Sequence, residues 1–206
     1  MKQEAILSSH YFPSIAYFMV LLQHDSVVID LGEHFKKQSY RNRCHIYTSN
    51  GSLSLSVPVI RKNKTAVQDV VLDTTNDWKK THWRAISSAY NSSPFFEFYE
   101  PDLKLVFFSN YTTLAELNTA LLKHLFKEIG LDQNFSISTK FIEVQDAKKD
   151  YRDLIDAKKA YYKAETYARY IQIFEEKHGF IKNLSILDLL FHEGPETLNY
   201  LKNNLN

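Results

Sequence analysis

The first thirty residues constrain the fold more than any other stretch. Residues 5–9 (Ala-Ile-Leu-Ser-Ser) make an apolar run that ends in small polar residues, His10-Tyr11-Phe12-Pro13-Ser14 turns the chain, and Ile15–Gln23 reads as an apolar helix. Val27-Val28-Ile29 follows, a β-branched run without polar alternation, the pattern of a strand covered on both faces. Strand, helix and covered strand predict a parallel pair and an α/β sheet. In such sheets ligands gather outside the C-terminal ends of the strands. Ser8, Ser9 and Tyr11 leave the first strand at that edge and Asp30–Lys37 leave the second, so a site is expected there.

Beyond this opening, Arg43–Thr48, Leu53–Ile60 and Val67–Leu72 read as strands. Asn50-Gly51 is a tight-turn dipeptide that makes the first two a hairpin. Leu53, Leu55, Val57 and Val59 alternate with Ser54, Ser56 and Pro58, predicting one wet face, and Pro58 places this strand at an edge or near its end. A helix is expected from Asn76 or Asp77 to about Asn91, with Trp78, His82, Ala85, Ile86 and Ala89 on its apolar side. Pro94–Tyr99 is an aromatic run expected in the core. Thr113-Leu-Ala-Glu116 fits a capping box for a helix closed by Gly130, and Ser185-Ile-Leu-Asp188 fits a second one. Tyr167, Tyr170, Ile171 and Phe174 recur at helical spacing ahead of Gly179, while Asp150–Lys159 reads either as a helix or as an excursion over a site. The expected fold is α/β, a mixed sheet with a strand–helix–strand opening and a mostly helical C-terminal half, in one domain spanning 1–206.

Charge is segregated. Between Glu33 and Asp69 there is no carboxylate, yet the interval holds Lys36, Lys37, Arg41, Arg43, Arg61, Lys62 and Lys64, in a protein of formal net charge +1. Such a local field suits an anion, whether phosphate, carboxylate or phosphorylated sugar. Tyr40 and the Asn42 amide between the guanidinium forks fit oriented recognition, although a solvated basic loop has the same composition.

Several chemistries are excluded. The five glycines are too widely spaced for a Walker loop or a G-x-G-x-x-G turn, and G-x-S-x-G, H-E-x-x-H and Asp-x-Asp motifs are absent. One cysteine, Cys44, allows neither an internal disulfide nor a cysteine zinc cage, and the eight histidines lack metal-ligand spacing, so no metal or cofactor is expected. The apolar run Ile15–Leu22 is far shorter than the ~20 residues of a membrane helix, and Glu4 near the start is unlike a signal peptide. A cytoplasmic protein without membrane insertion is expected.

The chain resembles the WbqC-like protein family of bacteria. The stretches that carry the resemblance are Tyr11–Phe18, Lys37–Cys44, Val57-Pro58-Val59, Trp78–Arg84, Ala89-Tyr90 with Pro94-Phe95-Phe96, and Gly179–Phe191 followed by Glu193-Gly194-Pro195-Glu196. The resemblance implies a place in surface-polysaccharide (O-antigen) synthesis and a glycine-type transferase activity. Family members often carry Gln-Pro ahead of the first tyrosine; Ser8-Ser9-His10 stands there in this chain, which implies a different substrate if that glutamine touches it. Tyr11, Lys37, Asn42, Arg43, His82 and Tyr90 carry over as site residues.

Two functions follow. One is transfer of an acyl or aminoacyl group to a sugar amine or hydroxyl: Lys37, Arg41 and Arg43 hold the phosphate of an activated donor, His82 is the general base, and Tyr11 and Tyr90 stack on the sugar. The alternative is a non-catalytic module that binds a phosphorylated glycan, a nucleotide or RNA through the same cations and aromatics.

Overall fold

The structure, a computed structural model, describes residues 4–132, 135–144, 148–157 and 167–205. Strands β1 (Glu4–Ser8) and β2 (Val27–Asp30) flank helix α1 (Ile15–Gln23) and pair in parallel, Ala5 opposite Val27 and Ser8 opposite Asp30. The predicted opening is therefore observed. Every residue of β2 is buried, and Ile15–Leu21 of α1 are buried on all sides, which is why neither stretch shows polar alternation.

Two late strands complete the sheet. Its order is β7-β2-β1-β8, with β7 (Phe135–Ser138) and β8 (Lys148–Asp150) also parallel to their neighbours. All four strands thus end at one edge.

The antiparallel elements lie apart from this sheet. Strand β3 (Arg43–Thr48) pairs with β4 (Gly51–Ser56), turning at Asn50-Gly51, where Gly51 takes φ +94°. The expected strand Leu53–Ile60 is broken at Val57-Pro58 into β4 and a two-residue β5 (Val59–Ile60), because proline cannot continue the ladder. The expected strand Val67–Leu72 is likewise a 3₁₀ turn at Val67–Asp69 followed by β6 (Val71–Leu72), which pairs with β5. Leu55 and Val57 face the interior as expected, but Leu53 is 39% exposed.

Helix α2 (Trp78–Tyr90) starts where predicted, with the Asp77 carboxylate accepting from the Lys80 N–H. The aromatic run expected as core is the start of an unforeseen helix, α3 (Phe96–Phe108), which carries Pro101 inside it; Phe96 and Tyr99 are buried, but Phe98 is 76% exposed. Helix α4 (Leu114–Ile129) shows the reciprocal Thr113–Glu116 capping box and a left-handed Gly130 at its end.

The C-terminal part corrects two further expectations. Only Glu175–His178 (α5) is helical before Gly179; Tyr167–Phe174 is not, and Ile171 is 80% exposed. Its polar groups bond across the molecule instead. Gln172 exchanges two hydrogen bonds with the Ile181 backbone, and the Ile173 N–H donates to His192. Of Asp150–Lys159, read either as a helix or as an excursion over a site, residues 152–157 form turns and not a helix, and 158–159 lie outside the described residues.

Helix α6 (Ile186–Glu193) does begin at Ser185, whose hydroxyl accepts from the Leu187 N–H. Asp188, however, does not close the box. Its buried carboxylate accepts from the Tyr90 hydroxyl (2.9 Å) on one oxygen and from Tyr170 (2.5 Å) and Gln172 (2.9 Å) on the other. A 3₁₀ turn at Gly194–Glu196 then leads into α7 (Thr197–Asn203), where Leu201 is buried.

Candidate functional site

The C-terminal edge of the sheet, where a ligand was expected, is filled by the protein's own charges. Asp30, fully buried, accepts from the Gly32 and Glu33 N–H groups on Oδ1, and from the Ile142 N–H and Arg152 Nη1 (2.5 Å) on Oδ2. Arg152 also grips Asp150 in a two-point fork at 3.0 and 2.8 Å. Arg41 forms a second fork, on Glu33, at 2.9 and 2.6 Å, and its Nη2 donates to Ser8 Oγ at 2.8 Å. Ser8 Oγ in turn donates to the Arg152 carbonyl, so one serine joins the two ion clusters. Gly32 is required there: a Cβ would stand 2.2 Å from the Phe141 backbone nitrogen.

Four cations of the basic interval converge beside this network. The loop after β2 and the loop between β5 and β6 are zipped together by Phe35 N–H to Thr65, Val67 N–H to Glu33, and a bridge between His34 and Ala66. Between them opens a cleft of about 680 Å³ lined by Phe35, Lys37, Gln38, Asn42, Arg43, Val59, Arg61, Lys62 and Asn63. Four of these are cations and none is a carboxylate. Arg43 is aimed by Ser56, whose Oγ accepts from its Nε at 3.0 Å, and the Arg61 guanidinium lies 5.2 Å from the centre of the Phe35 ring. Asn42 holds the wall in place, its backbone and side chain bonding Val57 in both directions.

Of the residues expected in a site, Lys37, Asn42 and Arg43 are brought together in this cleft. Arg41 is not with them: it is 2% exposed and committed to Glu33 and Ser8. Tyr11 and Tyr90, expected to stack on a sugar, are at most 1% exposed. Tyr90 donates to Asp188 and accepts from the Tyr47 N–H, which ties α2 to β3 and α6. Lys36, from the same basic stretch, pairs with Asp153.

His82 sits under the hairpin, outside the cleft lining. Its Nδ1 is 2.9 Å from the Tyr11 hydroxyl, and a backbone bond to Ser56 engages the ring as well. Burial pushes the Tyr11 phenol well above its ordinary range, so Tyr11 keeps its proton and donates it to Nδ1. Burial, opposed by the Ser56 bond, lowers His82 from 6.5 to about 4. Between those values the unfolded ring binds a proton that the folded ring refuses, so stability falls as pH drops from 6.5 towards 4. The full loss from this ring amounts to about 3 kcal/mol. His10, buried beside Arg41, is shifted in the same direction, first by desolvation and then by that guanidinium. Glutamine at position 82 can accept from Tyr11 and donate to Ser56 without titrating. The His82→Gln protein is therefore expected to lose less stability than wild type in urea titrations across that window; parallel losses would show that the ring is not buried neutral.

Arg61 and Lys62 were counted in the basic interval but not expected among the site residues, and Phe35, Gln38, Val59 and Asn63 were not expected there either. The signal that could have found Arg61 and Lys62 was present: they belong to the same carboxylate-free interval as Lys37 and Arg43. Among the described residues no group of three or more His, Cys, Asp and Glu could hold a metal ion, and no helix is long and apolar enough to cross a membrane.

Comparison with known proteins agrees with the motifs. Rv1507c of Mycobacterium tuberculosis (strain ATCC 25618 / H37Rv), described as an uncharacterized protein, is 28% identical over 231 residues, covering 98% of this chain and 98% of its own. No solved structure matches. The pattern of one family matches residues 8–168, which takes in the basic stretch, the hairpin and α2–α4. The chain belongs to the WbqC-like protein family.

Proposed function

We propose that this protein binds a phosphorylated or nucleotide-linked sugar in the cleft between the loop after β2 and the β5–β6 loop, as a cytoplasmic component of bacterial surface-polysaccharide synthesis. The observation that carries the reading is the convergence of Lys37, Arg43, Arg61 and Lys62 on one cleft with no carboxylate in its lining. Phosphate oxygens satisfy guanidinium and ammonium donors at once, while Gln38, Asn42 and Asn63 supply amides for hydroxyl groups. A cleft of about 680 Å³ suits one small ligand, and the cations are gathered in it rather than strung along a groove, which favours a small molecule over RNA.

The test is calorimetric titration of sugar phosphates, nucleotide-sugars, inorganic phosphate and a short RNA, at low and at physiological salt. Arg43→Ala and Arg61→Ala are each expected to weaken a bound sugar phosphate or nucleotide-sugar roughly 10- to 100-fold, the value of a charge-assisted hydrogen bond. Unchanged affinity in both variants would sink the reading. Binding by RNA alone, fading steeply with salt, would replace it with the nucleic-acid module.

A second reading adds catalysis: transfer of an acyl or aminoacyl (glycine-type) group to a sugar amine or hydroxyl, with His82 as base. What favours it is that burial keeps His82 neutral at neutral pH, the state a base needs. What it demands is that Tyr11 release Nδ1 when substrate binds. On this reading His82→Gln retains ligand affinity and abolishes transfer; transfer at the wild-type rate would remove His82 from the reaction.

A further inference from the structure

The two walls of the cleft repeat one another. The loop after β2 and the start of β3 contribute Lys37, Gln38 and Arg43, and the β5–β6 loop contributes Lys62, Asn63 and Arg61. Each wall therefore presents an ammonium, a guanidinium and an amide; Asn42 also lines the first wall, but its amide is committed to Val57. Each wall also carries a left-handed residue: Gln38 at φ +55°, and Lys64, next to Asn63, at φ +56°. Among the described residues four non-glycine positions have positive φ, and two of them stand here, one per wall. Gln and Lys gain nothing locally from that conformation, and such strain gathers at ligand clamps. Turns of this kind point successive N–H groups into a concavity that suits an anion. Among the described residues no group accepts from the N–H of Lys37, Gln38, Asn63 or Lys64, whereas the nearby N–H groups of Asn42 and Lys62 bond within the protein.

The guanidinium groups set a count of oxygens. Ser56 engages only Nε of Arg43, and the Lys62 carbonyl only Nη1 of Arg61, so each arginine keeps two nitrogens for a bidentate grip. Such a fork takes two oxygens of one phosphate. Two forks on opposing walls therefore ask for two pairs of oxygens. A phosphate monoester carries its three terminal oxygens on a single phosphorus. A diphosphate diester carries two non-bridging oxygens on each of two phosphorus atoms. We propose that the cleft, taken as the ligand site on the reading above, is built for a diphosphate-linked ligand, with each wall holding one phosphoryl group.

The duplication decides between a nucleoside diphosphate sugar and a sugar phosphate, which four cations alone would both accept. A sugar phosphate fills one wall and leaves the facing lysine and arginine in water, whereas the diphosphate diester engages both. Near pH 8 each carries about two negative charges. A difference in affinity between them therefore reports the second phosphoryl group and not summed charge. A nucleoside monophosphate of the same base controls for the other half of the ligand.

The experiment is calorimetric titration of a nucleoside diphosphate sugar, the matching sugar phosphate and nucleoside monophosphate, and inorganic phosphate. The proteins are wild type, Arg43→Ala, Arg61→Ala and the double variant. The diphosphate sugar is expected to bind at least about 10-fold more tightly than either half, and to lose roughly 10- to 100-fold in each single variant. Inorganic phosphate can move to the intact wall. It is expected to lose less than about 3-fold in either single variant and to fall fully only in the double. Thermal unfolding checks that the variants fold; should either fail, Lys37→Met and Lys62→Met, one from each wall, must give the same pattern. Two outcomes overturn the proposal while the cleft stays a phosphate site. One is a sugar phosphate that binds as tightly as the diphosphate sugar. The other is inorganic phosphate that loses as much in each single variant as in the double, the mark of one phosphate gripped from both walls. If no anion binds, or binding is untouched in both single variants, the site itself is lost and this proposal with it.

Discussion

Arg41→Ala is expected to lower unfolding stability by roughly 3–5 kcal/mol, the cost of leaving the other half of a buried ion pair without its partner. Glu33 would be left with an uncompensated charge at 4% exposure, and Ser8 Oγ would lose the guanidinium it accepts from. The size of the loss discriminates between two roles. A ligand contact in a solvent-filled cleft would change stability by about 0.5 kcal/mol or less, whereas the buried fork should change it several-fold more. Urea unfolding of wild type, Arg41→Ala, Glu33→Met and the double variant Arg41→Met/Glu33→Met is the measurement. The double variant should be less damaged than either single, because an apolar pair leaves no charge behind. If Arg41→Ala kept full stability and lost ligand binding, Arg41 would return to the recognition role that its place in the basic stretch suggested.

The second large effect is expected at Asp188. Removing its carboxylate with Asp188→Ala strands the Tyr90, Tyr170 and Gln172 donors in the interior, at a cost of roughly 2–4 kcal/mol. A residue that served only as partner in a helix-capping box would cost about 1 kcal/mol. The location of the damage matters as much as its size. Tyr170 and Gln172 lie on the stretch Tyr167–Phe174, which has no helical ladder of its own and is held by these bonds and by His192. Amide exchange should therefore rise in that stretch, and at Ile181, more than in α4. Uniform acceleration over the whole chain, or a loss near 1 kcal/mol, would mean that the node does not act as the anchor of that segment.

The residues that gave themselves away in the sequence did so through near neighbours. The covered strand Val27-Val28-Ile29, the apolar helix Ile15–Gln23, the Asn50-Gly51 turn and the Thr113–Glu116 cap are each decided within a turn or two of chain. Propensity, period and cap chemistry operate over that range. Helix α3 escaped because its aromatic residues cluster without a clear period and Pro101 interrupts the pattern, while packing against α2, α4 and α6 stabilises it anyway.

The cleft was legible in part for the same reason. A carboxylate-free interval shows in the sequence that Lys37, Arg43, Arg61 and Lys62 share a field. Which of the cations face the cleft was a tertiary matter. Arg41 and Arg43 stand two residues apart in one basic stretch, yet one is locked under the sheet edge with Glu33 and the other lines open space. Asp30 and Arg152 are likewise brought together from 122 positions apart by β1, β2 and β8. Tyr167–Phe174 has helical spacing but gives up its helix because Asp188, Ile181 and His192 satisfy its polar groups from outside. The sequence by itself determined the α/β opening, the main caps and the cationic character, since these rest on local periodicity and summed charge. Only the tertiary structure decided which charges are buried and which face the cleft, because a charge removed from water must find a partner wherever the fold brings one.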